Sequence, residues 1–379
     1  MSARTSSGPG ILTRVFGSQW FVSVLAVLIA FVIGAVLIAL SGASVVDAYY
    51  AMFRGSIIDP NAATFVRQIK PLTDSLFYSI PLIISGLGLA LGFRAGLFNI
   101  GGKGQIIVGA LAAVWVGFAV NLPPVLHTLV ALLVAIVAGG LYAGIAGVLK
   151  AKTGANEVIV TIMLNSIATL GLGYVLAQKA WQVPGSNQPV TPKVADSAAL
   201  TRLLPAPFKL HVGFIVALVA LAFFWWLIER STLGFQIRAV GANAAAARTA
   251  GISVERITAI TMVLSGAFLG LAGANEALGT IGYVSRDVAG SIGFDAITVA
   301  LLGRNKTWGT FGAGLLFGAF KAGGYTMQAK GVPIDMILIL QSVIVLLIAA
   351  PALVRWLFRL PDVRALAAQT RKGNADEHK

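Results

Sequence analysis

The chain has 379 residues, is 57% hydrophobic and 11% charged, and carries a formal net charge of +14 at pH 7. Soluble domains contain about 25% charged residues, so an ordinary water-soluble fold is excluded. There is no cysteine, and His127, His211 and His378 are the only histidines, a set that gives no disulfide, no thiol nucleophile and no usual zinc centre.

A membrane span needs about 20 apolar residues. Ten stretches meet or approach that length: 20–40, 73–92, 98–120, 126–149, 157–178, 211–229, 257–279, 291–304, 307–325 and 333–354. The expected fold class is all-α, a polytopic membrane helical bundle of about ten transmembrane helices with an inverted repeat and broken helices. One membrane domain covers 1–379, with 1–19 as a cytoplasmic N-terminus, 20–354 as the bundle and 355–379 as a cytoplasmic tail. The first stretch, Trp20 to Leu40, is 21 residues without a charge. A cleaved signal has an apolar core of roughly 7 to 15 residues, so a retained span is predicted. The loops 41–72 and 179–210 are long, and the second is rich in proline (Pro184, Pro189, Pro192, Pro205, Pro207). Such loops either meet a soluble partner or cap helix ends.

The segment Gly96-Leu-Phe-Asn-Ile-Gly-Gly-Lys-Gly-Gln105 follows the second stretch. A P-loop needs a glycine five residues before its Gly-Lys pair and a Ser or Thr after it, whereas Leu97 and Gly104 hold those places. The chain therefore has no nucleotide-binding loop of this kind. Gly, Asn, Lys and Gln between apolar runs fit a broken helix whose free amides hold a polar solute, which makes Asn99 and Gln105 substrate-path candidates. The plain alternative is a tight turn that lets helices pack.

At the fifth stretch Glu157, Thr161 and Asn165 are spaced by four and share one helix face. They line a path or hydrogen-bond a neighbouring helix, and Glu157 also suits the positive end of the helix dipole. Gly140 with Gly144, Gly266 with Gly270 and Gly314 with Gly318 are packing faces.

The longest basic loop runs from Glu229 to Arg256. Asn243 is a helix cap, Ala244 to Ala247 favour helix, and Gly251 ends it. A short helix of small residues there either docks into a groove on a cytoplasmic partner or merely connects two spans.

Asn275, Glu276 and Asp295 fall in apolar sequence, where an acid near the membrane centre costs about 2.5 to 3.5 kcal/mol. They join the path candidates, with Arg286 and Lys321 as counter-charges or simple ion-pair partners. The stretch 291–304 is too short for one ideal crossing and fits a half-helix. Gly101-Gly-Lys-Gly-Gln105 resembles Gly290-Ser-Ile-Gly-Phe294, and the spans that precede the two run in opposite directions, as an inverted repeat requires.

Lysine and arginine mark the cytoplasmic side. With the N-terminus inside, 17 of the 28 basic residues fall there, nine fall outside, and Lys103 and Lys321 lie within spans. Basic residues that alternate with apolar runs, without interleaved aromatics, argue against nucleic acid as a partner.

Three stretches resemble the permease subunits of bacterial ABC importers in the branched-chain amino acid, ribose and nucleoside superfamily. They are Phe93 to Gln105, Asn156 to Asn165, and Arg238 to Asn243 continued by Ala250-Gly-Ile252. The likeness runs from about 73 to 355 and is nearest to nucleoside-type members that work with a basic-membrane-protein-type lipoprotein. Lys103 stands where the family pattern Gly-Gly-Glu-Gly has an acid. The resemblance implies a transport subunit that is not an enzyme and has no cofactor of its own, in a bacterial plasma membrane with both termini cytoplasmic. ATP and Mg would be held by a partner ATPase. A second, non-identical permease subunit and an extracytoplasmic lipid-anchored solute-binding protein complete the expected assembly. The loop with Gly241, Asn243, Ala246, Arg248, Gly251 and Ile252 would be the coupling helix. A nucleoside is the expected small polar solute, with a sugar or branched-chain amino acid as the alternative. An ion-coupled secondary transporter, which would use its acids for protons or sodium, and a membrane enzyme are the competing classes.

Overall fold

The computed structural model describes residues 19–333 and 335–349. The expected cytoplasmic termini at 1–19 and 355–379 lie almost wholly outside the described residues. The chain divides into two bodies, 1–49 with 327–379, and 50–326.

In the first body α1 (Gln19–Leu40) packs on α13 (Asp335–Ala349). Tyr49, in the first turns of α2 (Val45–Ser56), donates its hydroxyl to Phe31 O, and the two rings meet edge-on at 5.4 Å. Helix α2 falls in a stretch expected as loop: its run of Val, Asp, Tyr and Arg is too polar for a span, yet it satisfies helical periodicity.

The second body holds α3 (Phe65–Arg94), α4 (Gly102–Ala119), α5 (Leu126–Thr153), α6 (Glu157–Ala177), α7 (Gly213–Arg230), α8 (Thr232–Ala242), α9 (Ala244–Thr249), α10 (Val254–Asn275), a π-helical turn (Glu276–Ile281) and α11 (Ile292–Leu302). Helix α12 (Thr307–Gln328) begins here too. Local chemistry sets the boundaries. Thr64 Oγ1 accepts from Arg67 N to start α3, Gly154 ends α5 in the left-handed region at φ 69°, and Asn156 Oδ1 accepts from Val158 N at 2.9 Å to start α6.

Six helices among the described residues are long and apolar enough to cross a membrane, and Val27–Leu40 and Ile292–Leu302 are shorter apolar pieces. The expected count of ten full spans is not reproduced. At 1.5 Å per residue, the 11 residues of α11 reach only about 16 Å, half of the roughly 30 Å hydrocarbon layer. The stretch 291–304 is thus a half-helix, as its length predicts.

Helices α5, α10 and α4 form the centre of this body. Glycine makes that approach possible. A Cβ on Gly139 would stand 2.5 Å from Gly266 O and 2.6 Å from Gly270 Cα, and one on Gly109 would reach 2.8 Å from Gly270 C. Gly318 of α12 rests in the same way on Ser75 and Ser79 of α3. The segment 178–212 is mostly extended and lies across helix ends: Thr191 N bonds Val284 O at 3.1 Å, Val194 N bonds Gly282 O at 3.0 Å, Ala195 N bonds Gly117 O at 2.8 Å, and Leu200 N bonds Leu278 O at 3.0 Å. Of the two readings of this loop, the cap over helix ends is what its backbone does.

Candidate functional site

Three structures in the second body contain the residues singled out by sequence. The first is the break between α3 and α4. Asn99 and Gln105, each 1% exposed, bond reciprocally: Asn99 Nδ2 donates to Gln105 Oε1 at 3.0 Å, and Gln105 Nε2 donates to Asn99 Oδ1 at 2.9 Å. Asn99 Nδ2 also reaches Ser265 Oγ of α10 at 2.9 Å, and Asn99 Oδ1 accepts from Gly101 N at 3.0 Å. From α6, Asn165 Oδ1 accepts from Gly104 N at 2.8 Å while its Nδ2 donates to Ile100 O at 2.8 Å. Thr161 Oγ1 accepts from Ile100 N at 3.3 Å, and Glu157 Oε1 accepts from Phe98 N at 3.4 Å. Glu157 Oε2 pairs with Lys150 Nζ at 2.8 Å. The polar stripe Glu157, Thr161, Asn165 therefore supplies side-chain partners to a stretch of backbone that has left the helix, which is how non-helical chain survives at membrane depth.

Gly102 and Gly293 meet backbone to backbone, so that a Cβ on Gly293 would lie 2.5 Å from Lys103 N. The two stretches that resemble each other in sequence are in direct contact.

The second structure is a charged group under a wide cavity. Glu276 opens the π turn, is 9% exposed, and takes a bond from Thr280 Oγ1 at 3.3 Å. Asp295, in the first turn of α11, takes one from Ser291 Oγ at 2.6 Å. Lys321 of α12 stands within electrostatic reach of both acids, and its Nζ lies 5.9 Å from the centre of the Tyr78 ring. Of the two expected counter-charges, Lys321 is the one brought to the acids. No ion pair joins it to either among the described residues. Asn275 is fully buried; its amide donates to Gly213 O at 3.4 Å and its Oδ1 has no partner among the described residues. Glu276 lies five residues from the end of its helical run rather than at its middle, so this group sits toward the end of the body that segment 178–212 covers.

Above it opens a cavity of about 1050 Å³ lined by Arg54, Arg67, Lys70, Asp74, Lys209 and Tyr325, among others. Tyr78 also lines it, and its ring is 5.5 Å from that of Tyr325. Arg54 is paired with Asp59, and Lys70 with Asp74. Sequence reasoning did not find this vestibule. Lys70, Asp74 and Tyr78 do share a face at a spacing of four, but the opposing wall comes from segments more than 100 residues away.

The third structure is the basic loop. Asn243 Oδ1 accepts from Ala246 N at 3.0 Å, α9 runs through Ala244–Thr249, and Gly251 follows at φ 83°. Within α9 only Ala247 is buried. Arg248 reaches Glu255 at 2.5 Å, tying α9 to the start of α10. Gly241, in the last turn of α8, abuts Arg94 O and Ala95 at the break between α3 and α4, and Ile252 N bonds Ala247 O at 3.0 Å. Among the described residues no cluster of three or more His, Cys, Asp or Glu could hold a metal.

Known proteins agree with this architecture. Residues 72–349 match the family model described as branched-chain amino acid transport system / permease component. The guanosine ABC transporter permease protein NupP of Bacillus subtilis is 39% identical over 89% of this chain and 95% of its own length. The glucose ABC transporter permease protein TsgB13 of Haloferax volcanii is 36% identical, with 85% of each chain covered. The nucleoside ABC transporter permease protein NupB of Lactococcus lactis is 30% identical over 92% of this chain and 94% of its own. No solved structure matches. A helical bundle with a protein-satisfied break, a charged group beneath a wide polar vestibule and a family match over most of its length place this chain among the permease components of the branched-chain amino acid transport system family.

Proposed function

We propose that the chain is the membrane subunit of an ATP-driven importer that takes up nucleosides by alternating access. The observation that carries this is similarity over nearly the whole chain to permeases named for guanosine and for nucleosides. ATP and Mg belong to a cytoplasmic ATPase, a lipid-anchored binding protein delivers the solute from outside, and a second, non-identical permease completes the pore in the plasma membrane. Nucleoside-named permeases of a second, more distant kind, at 27 to 29% identity, support a mixed pair.

In this reading α9 is the coupling helix. It pushes on α10 through Arg248 and Glu255, and α8 presses on the break at Ala95 through Gly241. Helix α10 carries that displacement as a rod toward Asn275 and Glu276. Asn99, Gln105 and Asn165 hold the break in shape beside the path, while Glu276 and Asp295 face the solute.

The test is uptake by proteoliposomes that hold this chain, its ATPase, its partner permease and its binding protein. ATP-dependent accumulation of tritiated guanosine, well above that of leucine, is the expected result; accumulation of leucine alone would remove the reading. Glucose is the second reading, favoured by the 36% identity to the Haloferax protein, and is measured in the same vesicles.

Orientation is checked separately on this cysteine-free background. Ser186→Cys is expected to react with an impermeant maleimide from outside intact cells and Lys152→Cys only after permeabilisation. The reverse pattern overturns the proposed topology.

A further inference from the structure

We propose that Glu276 and Asp295, set about Lys321 beneath the vestibule, select a neutral solute by its hydroxyl or amine donors and turn away the phosphorylated form of the same solute. This rests on the transport reading above and adds to it the chemistry by which the permease itself discriminates.

The acceptors come first. Glu276 is more than nine-tenths buried, and only its Oε1 has a donor, Thr280. Asp295 likewise takes Ser291 on Oδ2 alone. Oε2 of Glu276 and Oδ1 of Asp295 have no donor among the described residues. A buried carboxyl oxygen without a donor is costly, and here the nearest cation does not remove that cost, since Lys321 is near both acids without contacting either. A gap between two acids and one ammonium is a place for a group that donates hydrogen bonds.

Access comes next. Tyr78 lines the vestibule and also lies under Lys321 Nζ, so the charged group is reached through the vestibule floor. The Tyr78 and Tyr325 rings offer flat apolar surface to a base or a sugar face. A cavity of about 1050 Å³ has room for either.

Charge decides the rest. With all three groups ionised the cluster carries one net negative charge; with one carboxyl protonated it carries none. Neither state offers the surplus positive charge that a phosphate needs, and in a poorly solvated site the repulsion is strong. The vestibule above is different, because Arg54, Arg67, Lys70 and Lys209 line it. A phosphorylated solute would therefore be drawn to the entrance and stopped at the floor. Guanosine and glucose both satisfy the donor rule, so the shared chemistry is a neutral solute with adjacent hydroxyls.

The experiment uses the assembled importer without its binding protein, so that only the permease selects. Equilibrium binding of guanosine, 2′,3′-dideoxyguanosine and guanosine monophosphate is measured on wild type, Glu276→Gln and Asp295→Asn, with glucose and glucose 6-phosphate as a parallel pair. Wild type is expected to favour guanosine over the dideoxy and phosphorylated forms by at least tenfold, and each variant to shrink the guanosine-to-monophosphate ratio by about tenfold. Unchanged ratios in the variants overturn the proposal. A readout that needs no variant guards against misassembly: guanosine should protect Glu276 and Asp295 from dicyclohexylcarbodiimide in the wild-type complex, as read by mass spectrometry, and the monophosphate should not. Equal protection by both, or none by guanosine, also overturns it. If glucose and not guanosine binds, with glucose 6-phosphate refused, the nucleoside reading fails while the donor rule stands.

Discussion

Ala246→Trp is expected to reduce ATP-driven uptake at least tenfold while the chain still inserts and purifies at wild-type yield. Ala246 is exposed on α9, a helix of six residues with four alanines whose only buried member is Ala247. Its cap, Asn243 Oδ1 to Ala246 N, uses the backbone and is kept by any side chain at 246. The substitution therefore leaves the isolated chain intact and acts on whatever α9 fits into, since an indole cannot enter a groove shaped for methyl groups. Co-purification with the ATPase and solute-stimulated ATP hydrolysis in vesicles measure it, with Asn187→Trp as the control at the far end of the body. Normal docking together with normal coupled uptake would reduce α9 to a connector.

Gly139→Val is expected to lose most of the folded protein. Overpacking a core by a few methyl groups costs about 1 to 3 kcal/mol when side chains can shift. Here the obstacle is backbone, because the new Cβ would meet Gly266 O at 2.5 Å and Gly270 N at 2.8 Å, and only separation of α5 from α10 relieves it. Gly171→Val on α6 is the control, as nothing lies within 4 Å of its added Cβ. Monodisperse yield in detergent is expected to fall more than fivefold for the first and little for the second. Equal yields would show that the glycine seam is not what sets the distance between these helices.

Helix positions were legible from sequence wherever a long apolar run met a local cap. Asn156, Asn243 and Gly154 act on the backbone within three or four residues of themselves, so α5, α6 and α9 end close to where sequence places them. The half-length of α11 was legible from the polar residues that bound it. Lys321 was identifiable because a charge inside an apolar run has few explanations. The vestibule was not legible, since Arg54, Tyr78, Lys209 and Tyr325 come from four segments whose meeting depends on helix packing. Ser265 was hidden for another reason: within a stripe of small residues its hydroxyl looks like packing, and only the fold brings Asn99 to it.

The π turn at Glu276–Ile281 has a consequence for how this sequence tolerates changes in length. A π turn is in effect an α-helix with one surplus residue. Deleting Leu278 would let the run close as plain α-helix, and everything after it would turn by about 100° and draw in by about 1.5 Å. Leu278 O and Gly282 O anchor segment 178–212, so the shortened chain would keep its hydropathy profile and lose the register of that strap. Among chains of this kind, a gap of one residue at this place is therefore expected to be rarer than a substitution, and to be accompanied where it occurs by a matching change in the strap.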